Sequence, residues 1–144
     1  MRVKLPLVLC HDEGQEETVT DVIALNKHHQ RIEHLGLTLA ESKQLLSTLQ
    51  RHLLQQQVNT FLDTCSDCPD CGTPLHLKAR SRRSFRTVFG TLQFDSPRLE
   101  HCDCTRHKTV SFRPLSALLT ASVAPELLSM EAKWSSLVSY GMSL

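Results

Sequence analysis

Four cysteines in two close pairs carry the clearest chemistry in this chain. Cys68-Pro69-Asp70-Cys71-Gly72 presents a Cys-x-x-Cys turn, and Cys102-Asp103-Cys104 presents a Cys-x-Cys turn after 30 intervening residues. Two thiolate pairs brought together by a folded-back segment make a tetrahedral site for Zn²⁺, with Gly72 easing the first bend. The interval is longer than the roughly 15–20 residues of the usual ribbon pattern. An extra hairpin between the pairs is therefore expected. The expected ligands are Cys68, Cys71, Cys102 and Cys104, and the expected cofactor is Zn²⁺. Bound metal contributes on the order of 10 kcal/mol to the folding of small metal-dependent modules.

Other donors lie close by. Cys65 extends the first pair into a Cys-x-x-Cys-x-x-Cys run, and His101 and His107 flank the second pair. Cys65 falls where a helix should end and reads as a spare thiol. His101 is the substitute ligand if the Cys-x-Cys geometry is strained. Cys10 reads as a small buried hydrophobe. Redox catalysis by Cys68 and Cys71 is the enzymatic rival. It lacks a βαβ context and leaves Cys102 and Cys104 unexplained. Paired cysteines without a secretory signal favour metal over disulfides.

The formal net charge of +1 conceals an asymmetry. From Lys78 to Arg113 nine basic residues face three acids (Asp95, Glu100 and Asp103), a net +6 that leaves −5 elsewhere. A basic segment on a metal-fixed scaffold is a natural surface for phosphates. Candidate nucleic-acid contacts are Arg80, Arg82, Arg83, Arg86, Arg98, Arg106 and Lys108. The competing reading is a solvated charged face. Phe85 and Phe89 lie among the arginines, and core packing is the reading favoured over base stacking.

The elements that must position these groups follow from periodicity. Val3, Leu5, Leu7 and Leu9 alternate with Lys4, Pro6, Val8 and Cys10. That period of two predicts a strand, with Pro6 pointing to an edge. Val19 to Leu25 predicts its antiparallel partner. The stretch from His11 to Glu17, with Asp12, Glu13, Glu16 and Glu17, reads as a solvated loop.

Thr38 with Glu41 is a capping-box pattern, so a long helix is expected from there to about Asp63. Leu39, Leu46 and Leu53 recur every seven residues, with Leu45 and Leu49 widening the stripe. The expected role of this face is to cover the amino-terminal hairpin, and the alternative is a homodimer seam. Phe85 to Phe89 and Leu92 to Phe94 predict short strands around Gly90, and Leu75 to Lys78 an outer strand. Pro97 is expected to begin a return segment. Leu115 to Leu119 predicts a helical turn. A helix should open at Pro125, with Leu127, Met130, Trp134, Leu137 and Val138 on one face and Gly141 as a stop. This end looks like the first helix and turn of a helix-turn-helix, with no recognition helix among the 144 residues.

The string Ser84-Phe85-Arg86-Thr87-Val88-Phe89-Gly90-Thr91-Leu92 resembles insertion-sequence transposases of the ISKra group. So do Cys68-Pro69-Asp70-Cys71-Gly72-Thr73-Pro74-Leu75, Ser96-Pro97-Arg98-Leu99, His101-Cys102-Asp103-Cys104, Ser111-Phe112-Arg113-Pro114-Leu115 and the end from Trp134 to Gly141. The resemblance covers essentially the whole chain but only the family's amino-terminal part. It implies binding of terminal DNA. In the family an RNase-H-like domain with three metal-holding acids follows, and none of it is carried onto these residues.

These readings give an α+β chain: a β-hairpin and long helix over 1–64, a zinc-ribbon-like basic module over 65–110, and a linker with a carboxy-terminal helix over 111–144. The expected function is DNA binding without catalysis. The alternative is a zinc-stapled adaptor for a protein partner. No run of about 18 apolar residues predicts a membrane span. A cytoplasmic, nucleoid-associated setting is expected.

Overall fold

The computed structural model describes residues 1–10, 16–27, 32, 35–104 and 111–137, with backbone alone over 16–22. The fold is mixed α+β, in two compact units, Met1–Leu54 and Gln55–Leu144.

In the first unit, β1 (Arg2–Cys10) pairs antiparallel with β2 (Glu16–Asn26). Leu5 faces Ile23 and Leu7 faces Val19, so the register shifts at Pro6. Proline has no N–H to give the ladder, and a bulge is where a strand accommodates that loss. Ile23 and Leu25 are buried, with exposed Ala24 between them, as a one-sided strand requires. Residues 11–15 of the acidic stretch lie outside the described residues, while Glu16 and Glu17 belong to β2. Cys10 is exposed rather than buried. It ends β1 opposite Glu16, at the last pair of a two-stranded sheet.

The helix α1 (Leu39–Thr64) starts where the capping box places it. The Thr38 N–H and hydroxyl both donate to Glu41 Oε2 at 2.8 Å, and the Glu41 N–H returns a bond to Thr38 Oγ1 at 3.2 Å. At the other end Thr64 Oγ1 donates to the Phe61 carbonyl and Ser66 Oγ to that of Asp63. These hydroxyls satisfy acceptors that have no partner within the helix. The heptad leucines are not the buried seam expected of them: Leu39, Leu46 and Leu53 are 72, 41 and 40 % exposed. Val58 is the buried residue of α1, at 2 %. At about 100° per residue it lies roughly 100–140° around the helix from that stripe. Burial therefore follows a direction that the seven-residue repeat does not mark.

The second unit holds a three-stranded antiparallel sheet in the order β3 (Leu77–Thr87), β4 (Gly90–Glu100), β5 (Ser111–Phe112). The β3–β4 hairpin is far longer than the short strands predicted. Val88 and Phe89 form its two-residue turn, since Thr87 pairs with Gly90. Gly90 has φ 131°, a conformation open to glycine, and Thr87 Oγ1 bridges the turn to the Gly90 carbonyl at 3.0 Å and the Phe89 N–H at 3.2 Å. Phe89 thus leaves the strand alternation, while Phe85 stays on it half-buried. β4 continues through Pro97: among the described residues β5 pairs with Leu99 and Glu100 and does not reach Pro97, whose missing N–H is tolerated on that side.

Leu92, Phe94 and Ser96 are buried at alternate positions of β4, and Leu99, Leu115, Leu119 and Ala124 complete this core. Leu115 belongs to the one-turn α2 (Leu115–Leu118). α3 (Pro125–Leu137) opens at Pro125 as expected, yet none of its residues is buried. Val138 and Gly141 lie outside the described residues.

Candidate metal centre and basic hairpin

The first cysteine pair sits on a tight knuckle after α1. The Gly72 N–H donates to the Cys68 carbonyl and the Cys68 N–H to that of Thr73, both at 2.9 Å. This closure needs Gly72 at φ 70°, where a side chain is disfavoured. Asp67 bridges Pro74, and the Leu75 N–H donates back to Ser66, so the knuckle is a small closed loop. The second pair follows β4 directly, where the Glu100 N–H donates to the His76 carbonyl.

Both pairs therefore meet at the open end of the β3–β4 hairpin. Cys68 and Cys104 have Sγ atoms 3.5 Å apart, Cys71 and Cys102 3.4 Å, and Cys71 and Cys104 3.4 Å. All four Sγ atoms lie within 4.8 Å of one another, a group that can hold a metal ion. The six cysteines are free thiols. Neither Cys65 nor His101 joins the group. Cys65 sits beside Thr64 at the helix end, and the His101 ring stacks on Phe112 with centroids 4.6 Å apart. His107 lies outside the described residues.

The thiols are electrostatically unequal. The Thr73 hydroxyl lies 3.2 Å from Cys71 Sγ, and with the Thr73 N–H it favours the thiolate, lowering the Cys71 pKa to about 6. Cys104 is pushed upward by its thiol neighbours, Cys71 first. A cluster of this kind shares its protons, and displacing them is what a thiolate-binding cation does.

The predicted basic residues separate into classes. Arg80 and Arg82 are exposed on β3, and their side chains make no hydrogen bond or ion pair among the described residues. Arg83 Nη1 donates to Ser116 Oγ at 3.1 Å, and Arg86 Nη2 pairs with Glu131 Oε1 of α3 at 2.8 Å. The Arg86 backbone is also clamped: its N–H donates to Ser122 and its carbonyl accepts from Ala124. Arg98 Nε donates to Ser111 Oγ at 2.7 Å. Arg106 and Lys108 lie outside the described residues.

One feature of this surface was not foreseen. Arg80 and Arg82 line a cleft of about 460 Å³ with Gln55 and Asn59 of α1 and Gln93 and Asp95 of β4. The i, i+4 spacing of Gln55 and Asn59 is visible in the sequence, but nothing in it marks those side chains as facing Arg80 and Arg82. Among the described residues no helix is long and apolar enough to cross a membrane. No known protein family, characterised protein or solved structure matches this chain.

Proposed function

We propose that this chain is a zinc-stabilised DNA-binding region related to the amino-terminal part of ISKra-group transposases, without catalytic activity of its own. The observation that supports this most is that four thiols clamp the open end of the hairpin whose first strand bears Arg80, Arg82, Arg83 and Arg86. Zinc suits the cluster. Zn–S bonds of about 2.3 Å give tetrahedral edges of about 3.8 Å. Three of the six Sγ separations are 3.4 to 3.5 Å and all six lie within 4.8 Å, so small adjustments reach that geometry. The donor set is all sulfur, which favours zinc over magnesium or calcium.

Phosphates on Arg80, Arg82 and Arg98 would give salt-dependent, sequence-independent affinity. Three such contacts predict about a 40-fold loss of duplex affinity between about 50 and 200 mM salt. The test is fluorescence anisotropy with labelled duplex, comparing the zinc-loaded chain with an Arg80→Ala/Arg82→Ala variant. Affinity that ignores both salt and these arginines overturns the reading. Such a result would favour a protein adaptor, for which a separate observation speaks: α3 leaves Leu128, Met130, Trp134 and Leu137 exposed, Trp134 at 64 %.

A further inference from the structure

The cleft beside Arg80 and Arg82 has chemistry that a phosphate backbone alone does not use. One wall is α1, where Gln55 Nε2 donates to Asn59 Oδ1 at 2.9 Å. That bond leaves Gln55 Oε1 as an acceptor and Asn59 Nδ2 as a donor on the same face of α1. A paired acceptor and donor match the edge of a nucleobase, as carboxamides do in adenine recognition. Half-buried Leu62 supplies apolar lining in the same cleft, where Val58 is present but buried. Asp95, opposite Arg82 in the strand register, offers an acceptor for an exocyclic amine. The two guanidiniums at the rim are suited to a phosphate.

The volume, about 460 Å³, falls in the range of small-ligand sites. A base pair in a duplex keeps its edges in grooves and its faces stacked, so it cannot enter such a cleft. We propose that the cleft holds one unpaired nucleotide, its base against Gln55, Asn59 and Leu62 and its phosphate on Arg80 and Arg82. This rests on the nucleic-acid reading above and adds to it a preference for single-stranded or unpaired segments. The nucleotide is either part of a strand or free, and the chemistry of the cleft is the same for both.

The test uses the zinc-loaded full chain and anisotropy of a short labelled single strand, with the same strand as a duplex in parallel. A Gln55→Leu/Asn59→Leu variant keeps every charge. It should weaken single-strand binding on the order of tenfold, the effect of one bidentate base contact, and change duplex binding less than about twofold. Unlabelled deoxyadenosine monophosphate then distinguishes the source: competition at concentrations similar to the strand's assigns the site to free nucleotide, and competition only by strands assigns it to nucleic acid. If the variant misfolds, the side-chain amide of Asn59 in the unaltered chain should shift in NMR spectra on adding the strand. Single-strand affinity untouched by the variant, or an unmoved Asn59 amide, overturns the cleft proposal while salt-dependent duplex binding leaves the DNA reading intact. Absence of binding to either form overturns both.

Discussion

Glu41 shows how one side chain couples helix initiation to pH. Its carboxylate accepts from Lys27 Nζ and from the N–H and hydroxyl of Thr38, and these bonds lower its pKa from 4.5 to about 2, Lys27 first. The folded state thus binds the proton less readily than the unfolded chain. The resulting stabilisation is complete above about pH 4.5 and is lost as pH falls toward 2. In urea melts of the first unit's transition, Lys27→Ala should flatten the decline across that window; an unchanged pH profile would remove Lys27 as the cause. Gly72 makes a second residue-scale case. A Cβ there would meet nothing within 4 Å, so Gly72→Ala carries only the backbone strain of φ 70°. That strain is about 1–2 kcal/mol, or roughly tenfold in metal affinity by chelator competition, with Gly72→Asn less affected.

Among the elements, the β3–β4 hairpin shows why strands can be underread. Lys78 to Ser84 contains no β-branched and no aromatic residue, so local propensity gives no strand there. Pairing with β4 imposes extended structure on it all the same. What holds the turn is Thr87, a buried residue whose hydroxyl bonds both Gly90 and Phe89. Thr87→Val keeps the shape and leaves those groups without their partner. It should cost about 1–3 kcal/mol, read as a lower midpoint in denaturant. In α1 the contrast runs the other way. Its start was legible in Thr38 and Glu41, because a cap is a local hydrogen-bond pattern. Its buried face was not, because burial depends on which neighbour the helix meets, and the leucine repeat at 39, 46 and 53 stays exposed.

At the scale of the whole molecule, the thiol cluster and the basic strand belong to the same unit. The basic strand and the four thiols both lie within Gln55–Leu144, so stripping the metal should act on the arginine surface. Chelation is expected to raise amide exchange over residues 65–104, with the first unit's amides far less affected, and, on the DNA-binding proposal, to abolish that binding. Exchange that is indifferent to chelator would show that the cluster does not hold the hairpin. The sequence by itself determined the α+β composition, the four cysteines that converge, the boundaries of α1 and the start of α3, since these depend on spacing, caps and proline positions within short reach. Only the tertiary structure decided that Arg83 and Arg86 are engaged by Ser116 and Glu131, and that Arg80 and Arg82 stand over a cleft with Gln55 and Asn59. Those partners are distant in the chain, and no local periodicity records which side chains folding will bring face to face.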